Sequence, residues 1–274
     1  VQVHSRGQAG MFEYVVLSTK SGDALLTWLS DHHYHIPTTA DKVADHYAKQ
    51  GWYWLAMRLR SDAKEADTQA AHPISYVYRS KQLVFPMVIS SVSADDENEV
   101  VLHVISDRRY ASRNWLNALV ERSEVRHATG TPSGTNYETI LRDTTQRQGG
   151  HVFFTEYAMH WGDPARIATL PEAMAPSVAE KVRRAPFVTR LRAVIAPGAM
   201  DKDVLLPPAE DASLRLDNEI YLSQSPREPG NATAQLAMIG GLFLAAGLCF
   251  GPARWRRNVR LCCAGAGLLL LATL

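Results

Sequence analysis

The segment FVTRLRAVI, residues 187–195, carries a strong strand signal. Apolar and β-branched residues fill it, and neither glycine nor proline interrupts it. Successive side chains of a strand point to opposite faces, so Arg190 and Arg192 share a face. Two arginines there can bind an anionic group or pair with acids across the sheet, and we expect pairing.

Other segments upstream show the same kind of signal, separated by short helical stretches. Because these strands cluster in sequence, with helices inserted rather than strictly alternating, we expect an α+β domain with a mainly antiparallel sheet. The predicted strands are Phe12–Ser18, Trp52–Leu59, Ile74–Tyr78, Leu83–Ser90, Val100–Ser106 and Val152–Met159. The predicted helices are Gly22–Asp31 after Ser21, a second helix that Thr39 caps and that ends before Gly51, and Ser177–Arg184.

The C-terminal forty or so residues have a different character. Residues 234–251 are apolar and uncharged, and an 18-residue helix would rise about 27 Å, close to the thickness of a bilayer core. Residues 261–274 form a second, shorter apolar segment that we interpret as another span or an interfacial segment. We therefore predict a transmembrane helix or helical hairpin, the alternative being a hairpin buried in a soluble core.

The turn between these segments, residues 252–260, is basic. It contains Arg254, Arg256, Arg257 and Arg260. Short basic loops remain cytoplasmic, so residues 1–233 are expected outside the cytoplasm, with a tail-anchored cytoplasmic domain as the alternative. Residues 1–11 are polar and predict a disordered or truncated N-terminus, 12–205 the extracytoplasmic domain, and 206–233 a flexible stalk.

Composition restricts the classes of function. The 274 residues carry a net charge of +1, which gives no electrostatic reason to expect nucleic acid as a partner. The expected partners are the lipid bilayer and a protein of the envelope or membrane. The three cysteines, Cys249, Cys262 and Cys263, all lie within the C-terminal apolar segments, so the domain has no cysteine metal site or disulfide. No cofactor is predicted.

Four segments, in order, resemble a bacterial family catalogued as domain of unknown function 2330. They are VVLSTKSGDALLTWLSDHHYHIP (residues 15–37), QGWYWLAMRLR (50–60), VFPMVISSV (84–92) and FVTRLRAVIAPGAMDKDVLL (187–206). The resemblance covers about residues 12–206. It implies an exported protein with a C-terminal membrane helix, and it implies no particular chemistry.

Histidines supply the candidate metal ligands. His32 and His35 lie in the segment DHHYH, with His46 one helix further along, and imidazole is a common ligand of zinc and copper. The HHxH spacing lacks the i, i+4 pattern of a helical zinc site, so a solvated helix-to-loop connection is the simpler interpretation. On the predicted strand HVFFTEYAMH, alternation places Glu156 and His160 on one face and His151 on the other.

Aromatic residues and arginines form a further candidate surface that can stack on sugars or bases. They are Trp52, Tyr53, Trp54, Tyr76 and Tyr78 with Arg58 and Arg79. Alternation puts only half of them on any one face, so we expect core packing on one side and amphipathic side chains on the other.

The sequence contains no catalytic motif, and we predict no catalytic residue. The leading expectation is a binding or structural domain displayed at the cell envelope. One alternative is a metal-assisted hydrolase in which His32, His35 or His160 holds a zinc-bound water. Another is a subunit of a membrane complex that assembles through Gly240 and Gly241 of the apolar segment.

Overall fold

A computed structural model describes residues 1–34, 36–37, 39–60, 74–94, 97–131, 133–160, 180, 187–216, 248–250, 258–264 and 267–273. The strands are β1 (Gln2–Ala9), β2 (Phe12–Ser18), β3 (Tyr53–Leu59), β4 (Ile74–Arg79), β5 (Leu83–Phe85), β6 (Asn98–Ser106), β7 (Leu116–Ala118), β8 (Val152–His160), β9 (Phe187–Ile195), β10 (Val204–Leu206), β11 (Leu248–Phe250), β12 (Asn258–Ala264) and β13 (Gly267–Thr273). The helices are α1 (Gly22–Asp31), α2 (Ala40–Lys49), α3 (Met87–Ser90) and α4 (Tyr137–Arg147).

A four-stranded antiparallel sheet, in the order β1-β2-β3-β11, carries the α1–α2 helix pair on one face. Ser21 begins α1, since its Oγ accepts a hydrogen bond from the Ala24 amide at 3.2 Å. The two helices approach so closely at Gly22 that a Cβ there would lie 2.6 Å from the Asp45 amide nitrogen. The glycine therefore allows the contact between α1 and α2.

A larger sheet has seven strands in the order β4-β12-β13-β6-β9-β8-β7, and β5 pairs with β10 beside it. Most of its pairs are antiparallel, while β13–β6 and β7–β8 are parallel. Helix α4 packs on one face through Tyr137 and Leu141, and the main core lies on the other. The predicted α+β class with antiparallel-rich sheets is confirmed.

Two predicted elements differ from the structure. The segment 83–90 is not one strand, because Pro86 follows β5 and the chain then turns into the short helix α3. Residues 2–9 form strand β1, in the stretch whose polar composition predicts disorder. The pairing of β1 with β2 depends on backbone hydrogen bonds, which leave no hydrophobic pattern in the sequence. The predicted helix 177–184 lies outside the described residues, apart from residue 180.

The start of the predicted stalk lies against the domain. Leu206 ends β10, the Ala111 amide donates to the Pro207 carbonyl at 3.2 Å, and the Leu216 and Ala158 backbones pair with each other. Residues 217–233 lie outside the described residues.

The predicted C-terminal membrane helix is not confirmed. In the part of the chain that the structure describes, no helix has the length and apolar character needed to cross a membrane. Residues 248–250 form β11, and β12 and β13 occupy most of the second apolar segment, while residues 234–247 and 251–257 are not described. Apolar periodicity alone does not distinguish a buried strand from a helix, and strand pairing satisfies the same backbone groups as a helix would.

Asp203 connects the core beneath the α1–α2 pair to the core of the seven-stranded sheet. Its Oδ1 accepts hydrogen bonds from the Tyr47 hydroxyl at 2.5 Å and from the Val88 amide of α3 at 3.1 Å. The Tyr47 hydroxyl in turn accepts from the Ile89 amide at 3.2 Å, and the imidazole of His46 lies 4.0 Å from Oδ2. Burial raises the pKa of Asp203 above its ordinary value, although these hydrogen bonds and His46 oppose the change.

A raised folded-state pKa means that the native state holds the proton of Asp203 more tightly than the unfolded chain. The contribution to stability is therefore present at low pH and is lost as pH rises through the folded pKa. We expect Asp203→Asn, which keeps an acceptor for Tyr47 and Val88, to gain stability over the natural chain as the pH rises above about 4, the ordinary range of a carboxyl pKa. The gain should level off once Asp203 of the natural chain is ionised.

Urea unfolding of the full chain, repeated at each pH, measures this difference. The exposed Asp143→Asn serves as the matched control and should leave the pH profile unchanged. A difference between Asp203→Asn and the natural chain that stays constant, or falls, with rising pH would contradict the assignment.

Candidate functional site

A β-bulge interrupts the pairing of β8 with β9. Thr155 pairs with Leu191 and Tyr157 pairs with Arg190, so Glu156 is the extra residue. Bulges direct side chains away from the regular alternation and are frequent beside functional sites. Here the bulge points the Glu156 carboxylate under α4, where its side chain is 1% exposed.

Two arginines of β9 and one tyrosine of α4 surround this carboxylate. Arg190 Nε lies 2.9 Å from Oε2, and Arg192 Nη1 lies 3.5 Å from Oε1. The Tyr137 hydroxyl donates a hydrogen bond to Oε1 at 2.7 Å. A carboxylate removed from water in this way needs such partners, since its desolvation is otherwise costly.

Arg192 connects the buried carboxylate to two further acids. Its Nη2 donates to both carboxylate oxygens of Glu138 on α4, at 2.8 and 2.9 Å, and to Glu99 on β6 at 2.9 Å. The guanidinium also lies 5.7 Å from the centre of the Tyr137 ring, within cation–π range. We call Glu99, Tyr137, Glu138, Glu156, Arg190 and Arg192 the ionic cluster.

Burial and charge act in opposite directions within the ionic cluster. Burial raises the pKa of Glu156, while Arg190 and Arg192 oppose that rise. Burial disfavours the charged form of Arg192, but Glu156, Glu99 and Glu138 outweigh it and raise the pKa of this arginine. His103 of β6 pairs opposite Arg190, and burial together with that positive charge lowers the pKa of His103 to about 3. The imidazole is therefore neutral at physiological pH.

The chemistry of this arrangement is that of a structural ion-pair network. Arg192, whose side chain is 7% exposed, makes ion pairs with acids from three elements. Arg190 is the cluster's most exposed basic group, at 33%, and it too faces Glu156. The prediction that Arg190 and Arg192 share a face and pair with acids across the sheet is confirmed.

The bulge also changes what alternation predicts for His160. Because Glu156 is an extra residue, the strand beyond it is out of phase, and His160 pairs with Phe187 instead of joining Glu156. The ring centres of His160 and Phe187 are 5.2 Å apart. The predicted shared face of Glu156 and His160 is therefore wrong, and a single sequence gives no signal for a one-residue bulge.

The candidate histidines of the α1 region have local partners. His32 Nδ1 lies 2.7 Å from the Trp28 carbonyl, and its ring stacks on the Trp28 indole at 3.8 Å. His33 has a left-handed backbone, with φ of 60°, and His35 lies outside the described residues. Within the described ranges, histidine, cysteine and acidic side chains form no group of three suited to a metal ion.

Alternation places Tyr53 on the opposite face of β3 from Trp54, and its ring centre lies 4.8 Å from that of His4 in β1. Trp54 is buried against the helix pair, while Trp52 packs at its margin. Arg58 forms an ion pair with Glu13, donates to the His32 carbonyl at 2.9 Å and lies 5.4 Å from the Tyr34 ring centre. A cation at the end of α1 is favoured by the helix dipole, so Arg58 closes that helix. The side chains of Tyr76 and Arg79 lie outside the description.

These observations define the class of protein: an α+β domain with antiparallel-rich sheets, few helices and a buried ionic cluster. A family comparison matches residues 1–193 to the family described as uncharacterized protein conserved in bacteria (DUF2330). The chain belongs to that family. No curated protein and no solved structure matches it.

Glu156→Ala tests the ionic cluster. The substitution removes the buried carboxylate that pairs with both Arg190 and Arg192, and removing one partner of a buried ion pair costs about 3–5 kcal/mol. Glu97→Ala is the matched control, because Glu97 pairs with Arg142 at 2.6 Å on the surface, where a pair contributes about 0–1 kcal/mol. Denaturant unfolding measures both, and equal costs for the two variants would contradict a structural role for Glu156.

Proposed function

We propose that this chain is a cell-envelope protein whose α+β domain lies outside the cytoplasm and acts there as a binding or structural module. In this proposal residues 234–251 cross the membrane and hold the domain at its surface. The family match supports the extent of the domain and its bacterial origin. The location and the role are our inference.

The observation that carries the proposal is the sequence of residues 234–260. An uncharged segment long enough to span a bilayer as a helix is followed directly by Arg254, Arg256, Arg257 and Arg260. Short segments rich in arginine remain on the cytoplasmic side, so the chain before residue 234 is placed on the other side.

A single crossing at residues 234–251 and the positions of β11, β12 and β13 exclude each other within one molecule. Strand β11 lies inside that segment and pairs with β3. The crossing carries residues 258–273 to the opposite side of the membrane from β4 and β6, with which β12 and β13 pair. The apolar C-terminal residues can be buried either in the sheet or in lipid. The location of the two chain ends distinguishes these cases.

The geometry of the ionic cluster supports a non-catalytic role for its residues. Its buried charges pair with one another and hold α4 against the sheet, so they stabilise the fold. A rigid scaffold of this kind presents loops and strand edges for contact with other molecules.

The test is a topology measurement on the full chain, expressed from its natural start. Alkaline phosphatase is fused after residue 216 in one strain, and a fluorescent protein is fused after residue 274 in another. The proposal predicts active phosphatase, a fluorescent C-terminus and retention of the chain in carbonate-washed membranes. Inactive phosphatase at residue 216 would place the domain in the cytoplasm and contradict the proposal.

A pair of variants isolates the membrane segment. Leu242→Arg with Leu244→Arg puts two charges at its centre, each costing about 2.5–3.5 kcal/mol on insertion, and should release the chain from washed membranes. Leu116→Arg with Leu119→Arg makes the same change at exposed leucines of the domain and should leave the chain bound. Equal retention of both variants would contradict a span at residues 234–251.

A further inference from the structure

His103 lies opposite a cation in the large sheet. It pairs with Arg190 in the register between β6 and β9, so its imidazole lies on the same face of the sheet as the Arg190 side chain. Residues directly opposite each other on antiparallel strands have Cβ atoms about 4.5–5.5 Å apart. A positive charge on His103 would therefore face the guanidinium of Arg190 at close range.

The acids on this face are already bound to the arginines of the ionic cluster. They are Glu99 on β6, Glu138 on α4 and Glu156 on β8. On its other side His103 pairs with the apolar Leu269 of β13, and Tyr157 of β8 lies beyond Arg190. Arg190 is the charge that acts on His103, and like burial it disfavours the imidazolium.

Arg190 also connects His103 to α4. Its Nε lies 2.9 Å from Glu156 Oε2, and Glu156 Oε1 accepts a hydrogen bond from the Tyr137 hydroxyl in the first turn of α4. An imidazolium opposite Arg190 repels its guanidinium, and a displaced guanidinium leaves Glu156 with one arginine fewer. The attachment of α4 to the sheet weakens as a result.

We propose that His103 makes the attachment of α4 sensitive to acid, because protonation of its imidazole places two cations opposite each other and releases the helix from the sheet. Imidazole is the side chain whose charge ordinarily changes between pH 5 and 8. The device belongs to the fold itself, so it does not depend on the side of the membrane on which the domain lies.

The direction of the pH dependence follows from the pKa of His103, which is lowered to about 3 in the folded chain. An unfolded histidine, with a pKa of about 6.5, binds the proton that the folded chain excludes. The stability contributed by the neutral imidazole is therefore present above about pH 6.5 and is lost as the pH falls toward 3. An open state that exposes His103 should become about fiftyfold more populated between about pH 6.5 and 4.5.

Hydrogen exchange of the full chain across this pH range, corrected for the intrinsic pH dependence of exchange, tests the device. The α4 amides of the natural chain should lose about fiftyfold in protection as the pH falls, while the amides of α1 and α2 retain theirs. His103→Gln, which cannot take up the proton, should keep its α4 protection. The matched control His127→Gln removes an exposed histidine and should behave as the natural chain does.

The variant comparison also separates His103 from Glu156. Burial raises the pKa of Glu156, so its protonation stabilises the folded chain at low pH and acts against the effect of His103. An equal loss of α4 protection in His103→Gln and the natural chain would overturn the proposal. An equal loss across α1, α2 and α4 of the natural chain would overturn it too.

A second measurement needs no variant. Nitrogen NMR signals of the His103 ring in the natural chain should report a neutral imidazole down to about pH 4, because its pKa is about 3. An imidazole that takes up its proton near pH 6.5 while the chain stays folded would overturn the proposal, even if His103→Gln fails to fold.

Discussion

The pairing of Glu156 with Arg190 and Arg192 is the interaction on which the position of α4 depends. Two arginines on one face of β9, a strand inside the large sheet, need negative partners close by because burial removes their water. The strands on either side supply Glu156 and Glu99, and α4 supplies Glu138 together with the Tyr137 hydroxyl. The helix is therefore fixed by charge as well as by apolar packing.

A second set of polar contacts connects the other elements of the domain. Asp203 binds Tyr47 of α2 and the first turn of α3, and so joins the core beneath the helix pair to the core of the large sheet. Arg58 and His32 bind carbonyls near the end of α1. In each place a polar side chain satisfies backbone or side-chain groups that burial would otherwise leave unpaired. Among the polar residues that sequence analysis selects as candidates, His32 and Arg58 thus contribute contacts that stabilise the fold.

Sequence patterns account for the elements whose apolar periodicity is strong. The extents of β2, β3, β8 and β9 follow from it, as does the shared face of Arg190 and Arg192. Three features escape such patterns for distinct reasons. The bulge at Glu156 adds one residue without a change in composition, β1 is exposed on both faces and so has no apolar alternation, and Asp203 meets Tyr47 through a contact far apart in sequence. The C-terminal apolar residues satisfy the requirements of a strand and of a membrane helix equally.

Hydrogen exchange of the full chain carrying Arg192→Met tests the role of the ionic cluster most directly. Methionine keeps much of the apolar volume of the arginine stem but removes the charge that joins Glu138, Glu99 and Glu156. The account predicts faster exchange of the α4 amides, while the amides of α1 and α2, in the other core, retain their protection. Unchanged protection of α4, or an equal loss across α1, α2 and α4, would contradict it.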